Sequence, residues 1–163
     1  MSLKSKESAT GSDHDISVLN SLITTTIDSA HGFERSAEDA EGGRFAQMFR
    51  EFATERRQVV SRLQQTVRGL GGTPNDDGSL KGDLHRRWVD LRAALTGGGG
   101  DKAVIEEVER GEDYLKSKYD AALQDGELSA TAQGAIREAY ESVRAGHDTA
   151  SALKHSMQAD AQA

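Results

Sequence analysis

The chain has 163 residues, with no cysteine, one proline and 17 glycines, and 29% of it is charged. Without cysteine there are no disulfides, thiolate-held zinc, iron–sulfur clusters or thiol nucleophiles. A net charge of −7 opposes general binding to nucleic acid or to an anionic membrane surface.

Long stretches rich in Ala, Glu, Arg, Leu and Gln, broken by a single proline, predict long helices rather than a sandwich or barrel. Residues 1–12 are polar, lack the apolar core of a signal peptide and are expected to form a disordered arm. The first helix is expected from Asp15 to Ala40, near a capping Asp13 or His14, with its seam at Ile16, Leu19, Ile23, Ile27, Ala30 and Phe33 or Ala37. Gly42-Gly43 stops it. The second runs from Arg44 to Leu70, through Phe45, Met48, Phe52, Val59, Leu63, Val67 and Leu70, and ends at Gly71-Gly72. A turn-rich connector, Thr73 to Gly78, leads to a shorter helix from Ser79 to Leu95, with Leu80, Leu84, Trp88, Leu91 and Leu95 on one stripe. After the break at Gly97 to Gly100, a helix from Asp101 to Leu123 carries Ile105, Val108, Leu115, Tyr119 and Ala122. The last helix is expected from Ser129 to Met157 through Ile136, Tyr140, Val143, Ala150 and Leu153, followed by a polar, disordered tail at 158–163. No run of apolar residues is long enough for a transmembrane helix, and cytoplasm is the expected compartment.

Each long helix must bury its apolar stripe to be stable in water, so four of similar length are expected to pack side by side over residues 13–157. Helices one and two, and three and four, are joined by short links and should be antiparallel pairs. The connection between two and three, roughly 30 residues, is long enough to cross the whole bundle. The expected fold is therefore an all-α, ferritin-like four-helix bundle whose long crossover carries the short extra helix.

Polar residues interrupt the seams at one level. The spacing 23–27–30–34 brings Glu34 inward, 48–52–55–59 brings Glu55, 105–108–112–115–119 brings Glu112, and 136–140–143–147–150 brings His147. Carboxylate-bridged di-iron sites use such a constellation, with one Glu from each of two helices and Glu-x-x-His from the other two. Here Gln58 stands where His would follow Glu55, and Arg144 stands where Glu would precede His147. Two arrangements follow. In one, Glu34, Glu55 and Glu112 form a buried ion-pair network with Arg144 and His147, and no cofactor is needed. In the other, Glu34, Glu55, Glu112 and His147 hold iron, manganese or zinc in an atypical oxidase-type site.

Several stretches carry a family resemblance: Gly71-Gly72-Thr73-Pro74, Gly78-Ser79, then Gly82-Asp83-Leu84-His85-Arg86-Arg87-Trp88, Leu91-Arg92-Ala93-Ala94-Leu95, Glu109-Arg110-Gly111-Glu112-Asp113, and Val143 through Asp148. Over about Asp15 to Leu153 the chain resembles a bacterial, mostly proteobacterial, family of ferritin-like four-helix-bundle proteins of unknown function. The resemblance implies a ferritin-like fold and no established activity.

The remaining features have plain structural readings. His31 is expected at a helix boundary. Trp88 docks the crossover helix while Arg86 and Arg87 face water, the competing reading being an anion or small-ligand site beside His85 and Trp88. Arg56-Arg57 reads as a solvated face. Gly97 to Gly100 lacks the Gly-Lys-Ser/Thr ending of a phosphate loop, Asp76-Asp77-Gly78 lacks the spacing of a calcium loop, and no Gly-x-Ser-x-Gly elbow is present. The sequence thus favours a non-catalytic bundle, stress-related or partner-binding, that is able to pair with its own copies through helix faces.

Overall fold

The computed structural model describes residues 2–40, 43, 45–78, 83–97 and 100–162, with the side chains of 2–10, 83–85, 87 and 158–162 outside the description. Five α-helices and no strand make up the described residues: α1 (Ser2–Asp39), α2 (Ala46–Gly69), α3 (Asp83–Thr96), α4 (Gly100–Leu123) and α5 (Ala130–Gln162). Helix therefore runs through 2–12 and 158–162, stretches expected to be a disordered arm and tail. His31 lies within α1 rather than at its boundary. Gly42, Ser79, Leu80 and the middle of the Gly97 to Gly100 break fall outside the described residues.

The end of α2 shows how sequence stops a helix. Gly71 takes a φ of 85°, a region that costs glycine no steric strain. Its N–H reaches the Arg68 carbonyl at 3.0 Å, and that of Gly72 reaches the Val67 carbonyl at 3.0 Å. Two carbonyls left open by the last turn are thereby satisfied.

The long helices neighbour one another in the order α1, α2, α5, α4 and back to α1, while α3 lies against α1 and α4. Their directions follow from side-chain pairs. Glu34 meets Arg57 while Ile16 lies beside Gly72, so α1 and α2 are antiparallel. His147 meets Asp113 and Lys154 meets Glu109, so α4 and α5 are antiparallel. His14 meets Asp125 and Thr26 meets Tyr119, so α1 and α4 also oppose each other. Hence α2 and α4 run the same way, and the segment between them returns along the full length. Its first part is laced to α1. The Asn75 N–H donates to Asn20 Oδ1 at 2.7 Å, Asn75 Nδ2 to Thr24 Oγ1 at 3.0 Å, and Asn20 Nδ2 to the Thr73 carbonyl at 3.1 Å.

The apolar core divides in two. One cluster centres on Leu19, Ile23, Ile27, Val59, Leu63, Leu115, Tyr119, Ile136 and Val143. The other centres on Phe33, Phe49, Phe52, Val104, Ile105, Val108 and Ala150, with Phe33 and Phe52 ring centroids 5.0 Å apart. Full burial of each such Leu, Ile or Phe contributes roughly 1.5–3 kcal/mol. Along α2 the boundary between the clusters falls between Ala53 and Val59, along α4 between Val108 and Leu115, and along α5 between Val143 and Ala150. A polar layer occupies that boundary.

Candidate functional site

Arg56 and Glu112 fill the boundary layer. Their side chains are 0% and 1% exposed, and Arg56 Nη2 donates to Glu112 Oε2. The solvated face expected for Arg56-Arg57 is thus corrected: Arg56 is among the largest fully buried side chains, and only Arg57 reaches the surface. Arg56 is inward because it continues the line Phe49–Arg56–Leu63, one heptad apart, and both flanking residues are buried core. Space for the guanidinium comes from Gly146. A Cβ there would stand 2.7 Å from Arg56 Nη2 and 3.3 Å from Nη1. Arg56 Cζ also lies 5.8 Å from the Phe52 ring centroid, within cation–π range.

The pair is incompletely satisfied by protein groups: Arg56 Nε and Nη1 and Glu112 Oε1 are buried with no protein partner. Burial pushes the Glu112 carboxyl above its ordinary range, and the Arg56 guanidinium counters that only in part. Glu55 pushes in the same direction as burial, while His147 draws the pKa down, so both lie near enough to act on Glu112. Along α4, Tyr119 is also buried. Its hydroxyl shares a 2.7 Å hydrogen bond with Thr26, and burial raises its pKa to about 12.

The four residues expected to converge are distributed differently. Glu112 alone is fully buried. Glu34 is half-exposed and forked onto Arg57 at 2.8 and 3.2 Å, and that bond holds its carboxyl below the usual range. Glu55 sits at intermediate exposure beside the exposed Gln58. His147 Nε2 donates to Asp113 Oδ1 at 2.6 Å. Arg144, expected within the buried network, is exposed and stands 3.9 Å from Asp148. No three of Glu34, Glu55, Glu112 and His147 bring ligand atoms within 4.8 Å of one another. The buried guanidinium therefore belongs to α2 and not to α5.

A different cluster does converge: among the described residues, His14, Asp125 and Glu127 each place a ligand atom within 4.8 Å of the other two. Sequence reasoning gave His14 a capping role and missed this group, because its members are separated by most of the chain. A small pocket also lies between α1, α3 and α4, lined by Gly32, Phe33, Trp88, Leu91, Glu107 and Gly111 among others. Trp88 packs on Gly32, where an added Cβ would stand 3.6 Å from Trp88 Cβ. The guanidiniums of Arg35 and Arg92 lie 5.2 and 6.0 Å from its ring centroid. Trp88 thus docks the crossover helix, as expected, and Arg86 is exposed. The side chains of His85 and Arg87 lie outside the described residues.

A family described as a domain of unknown function, DUF2383, matches residues 14–125. The chain belongs to this family. No curated protein matches the chain. The DUF2383 match begins at His14 and ends at Asp125, so it takes in α1 from His14 onward, all of α2, the crossover with α3, and all of α4. Both members of the Arg56–Glu112 pair fall inside it, whereas Gly146, which makes room for the guanidinium, lies beyond it on α5.

Proposed function

We propose that this DUF2383 protein is a ferritin-like four-helix bundle of non-catalytic type, in which an ion pair takes the place of a midplane metal and the molecule acts through its surfaces. The ferritin-like assignment is supported by parallel α2 and α4 joined by a crossover that runs the length of the helices. The observation that carries the functional reading is the buried Arg56 guanidinium against Glu112. Arginine stays protonated at any physiological pH. A dication held about 5 Å from it would meet about 7 kcal/mol of repulsion at an effective dielectric constant of about 20. Glu112, the one fully buried carboxylate of the expected set, is already committed to that cation. The residues present do not fit a carboxylate-bridged di-metal centre.

The alternative is metal binding by Glu34, Glu55, Glu112 and His147, with iron, manganese or zinc. It requires Glu34 to leave Arg57, His147 to leave Asp113 and Arg56 to leave the layer. Elemental analysis after expression with each metal separates the two readings. The non-catalytic reading expects the metal content to be the same in wild type and Glu55→Ala. Stoichiometric metal that disappears in Glu55→Ala would overturn it. Action through surfaces means association with further copies through helix faces, or with a protein partner. Light scattering across a concentration series reads the first, and a strictly monomeric chain at all concentrations removes it.

A further inference from the structure

We propose that His14, Asp125 and Glu127 form a binding site for a divalent transition-metal ion at the end of the molecule where α1 meets the α4–α5 turn. The donors are one imidazole nitrogen and two carboxylate oxygens from segments that are far apart in sequence. His14 Nε2 lies 2.8 Å from Asp125 Oδ2 and 4.0 Å from Glu127 Oε2. Donors bound to one ion at about 2.0–2.2 Å stand about 3–4.4 Å apart, and these three lie within 4.8 Å of one another.

Groups outside the cluster hold it in shape. The neighbouring carboxylate of Asp15 is 2% exposed, and its Oδ1 accepts the Ser129 N–H at 3.0 Å. That bond fixes α1 against the chain beyond the turn and sets His14 opposite Asp125. Ser129 Oγ in turn accepts the Ala132 N–H at 3.2 Å, which anchors the start of α5 beside the same turn. Within the site, Asp125 Oδ1 takes the Glu127 N–H at 2.9 Å, while Oδ2 faces His14 Nε2 at 2.8 Å. Glu127 is exposed, so the ion keeps positions open to water or to an outside ligand.

The donor set selects the ion class. Mixed imidazole and carboxylate ligands without thiolate suit zinc, cobalt, manganese or ferrous iron, whereas calcium and magnesium take all-oxygen shells. A bound ion would tie α1 to the α4–α5 turn. This site is remote from the Arg56–Glu112 layer and shares no residue with it, so it stands whether or not the midplane is metal-free.

The test uses the full chain without an affinity tag, stripped by chelator and titrated with Co²⁺ by absorption and with Zn²⁺ by calorimetry. The expected result is one ion per chain. Affinity should fall at least tenfold in His14→Gln and in Asp125→Asn, with helical content unchanged in both. It should be unaltered in His147→Ala, which removes another carboxylate-paired histidine, and in Glu55→Ala, which reports on the midplane. Binding that saturates only in the millimolar range, or that His14→Gln leaves intact, would overturn the site. Loss of binding in Glu55→Ala with retention in His14→Gln would place the ion at the midplane and also overturn it.

Discussion

Truncating Glu112 to alanine leaves the Arg56 guanidinium buried between the two apolar clusters without its ion-pair partner, at 0% exposure and with Nε and Nη1 already lacking protein partners. Breaking one side of a buried pair in this way costs about 3–5 kcal/mol, because the remaining charge keeps its full desolvation penalty. Domains of this kind are typically stable by only about 5–15 kcal/mol, so the loss is a large share of the whole. For a chain of this length it corresponds to a fall in Tm of roughly 6–20 °C. Replacing both partners by apolar residues of similar volume, Arg56→Met with Glu112→Leu, removes charge and desolvation cost together. That double variant should lie within about 1 kcal/mol of wild type or exceed it by up to about 4 kcal/mol. Urea unfolding at pH 7 of wild type, both single variants and the double variant gives the coupling energy, expected to reach about 3 kcal/mol. If Glu112→Ala costs less than about 1 kcal/mol, or the double variant loses the sum of the singles, the layer is not a coupled buried ion pair.

Burial raises the Glu112 pKa above 4.5, so the folded chain holds this proton to higher pH than the unfolded chain. The contribution of the group is full below 4.5 and falls as pH rises through its folded pKa. Wild type should therefore lose stability relative to Glu112→Gln as pH rises above about 4.5 in a series of urea titrations; a pH-independent difference contradicts the assignment. Glu34 has the opposite sign: its Arg57 partner lowers its pKa, so its contribution holds above 4.5 and fades as pH falls through the lowered value. Thr26→Val leaves the buried Tyr119 hydroxyl without its 2.7 Å partner and should cost about 1–3 kcal/mol, with a smaller effect when Tyr119→Phe is already present. Gly146→Ala should destabilise because its Cβ meets the Arg56 guanidinium, whereas Gly134→Ala, with open space around it, should stabilise α5 by up to about 1 kcal/mol. Thermal melts that rank the two glycine variants in the other order would count against the close approach of α5 to Arg56.

The inner helix ends were legible because glycines mark them, whereas α1 begins at Ser2 and α5 runs to Gln162, beyond the expected Asp15 and Met157; the seam of α4 was legible as well. Ile105, Val108, Glu112, Leu115, Tyr119 and Ala122 are all buried as their spacing requires. In α2 the expected Phe45, Phe52, Val59, Leu63 and Val67 are buried, and the error is local to Met48 and Glu55. A seam drawn through Met48 reaches Glu55, whereas the buried line passes through Phe49 and Phe52 and so reaches Arg56. One position turns a side chain by about 100°, which exchanges an acid for a base at the centre of the molecule. The signal was present in the apolar pair Phe49 and Leu63, each seven residues from Arg56. In α5 the same ambiguity placed Tyr140 and His147 on the seam, while the small residues Ala139 and Gly146 occupy it. A small residue carries little weight in a hydrophobic pattern, although Gly146 is what admits the guanidinium. The His14 cluster was invisible for another reason: only the folded path brings residue 14 beside residue 125.

The molecule's single indole sits on the crossover. Trp88 belongs to α3, packed on Gly32, while the long helices that dominate the backbone signal carry none. Its emission therefore follows the seating of the crossover, whereas far-ultraviolet circular dichroism follows the long helices. Equilibrium unfolding recorded by both signals measures whether the strap lifts as an independent unit or leaves only when the long helices do.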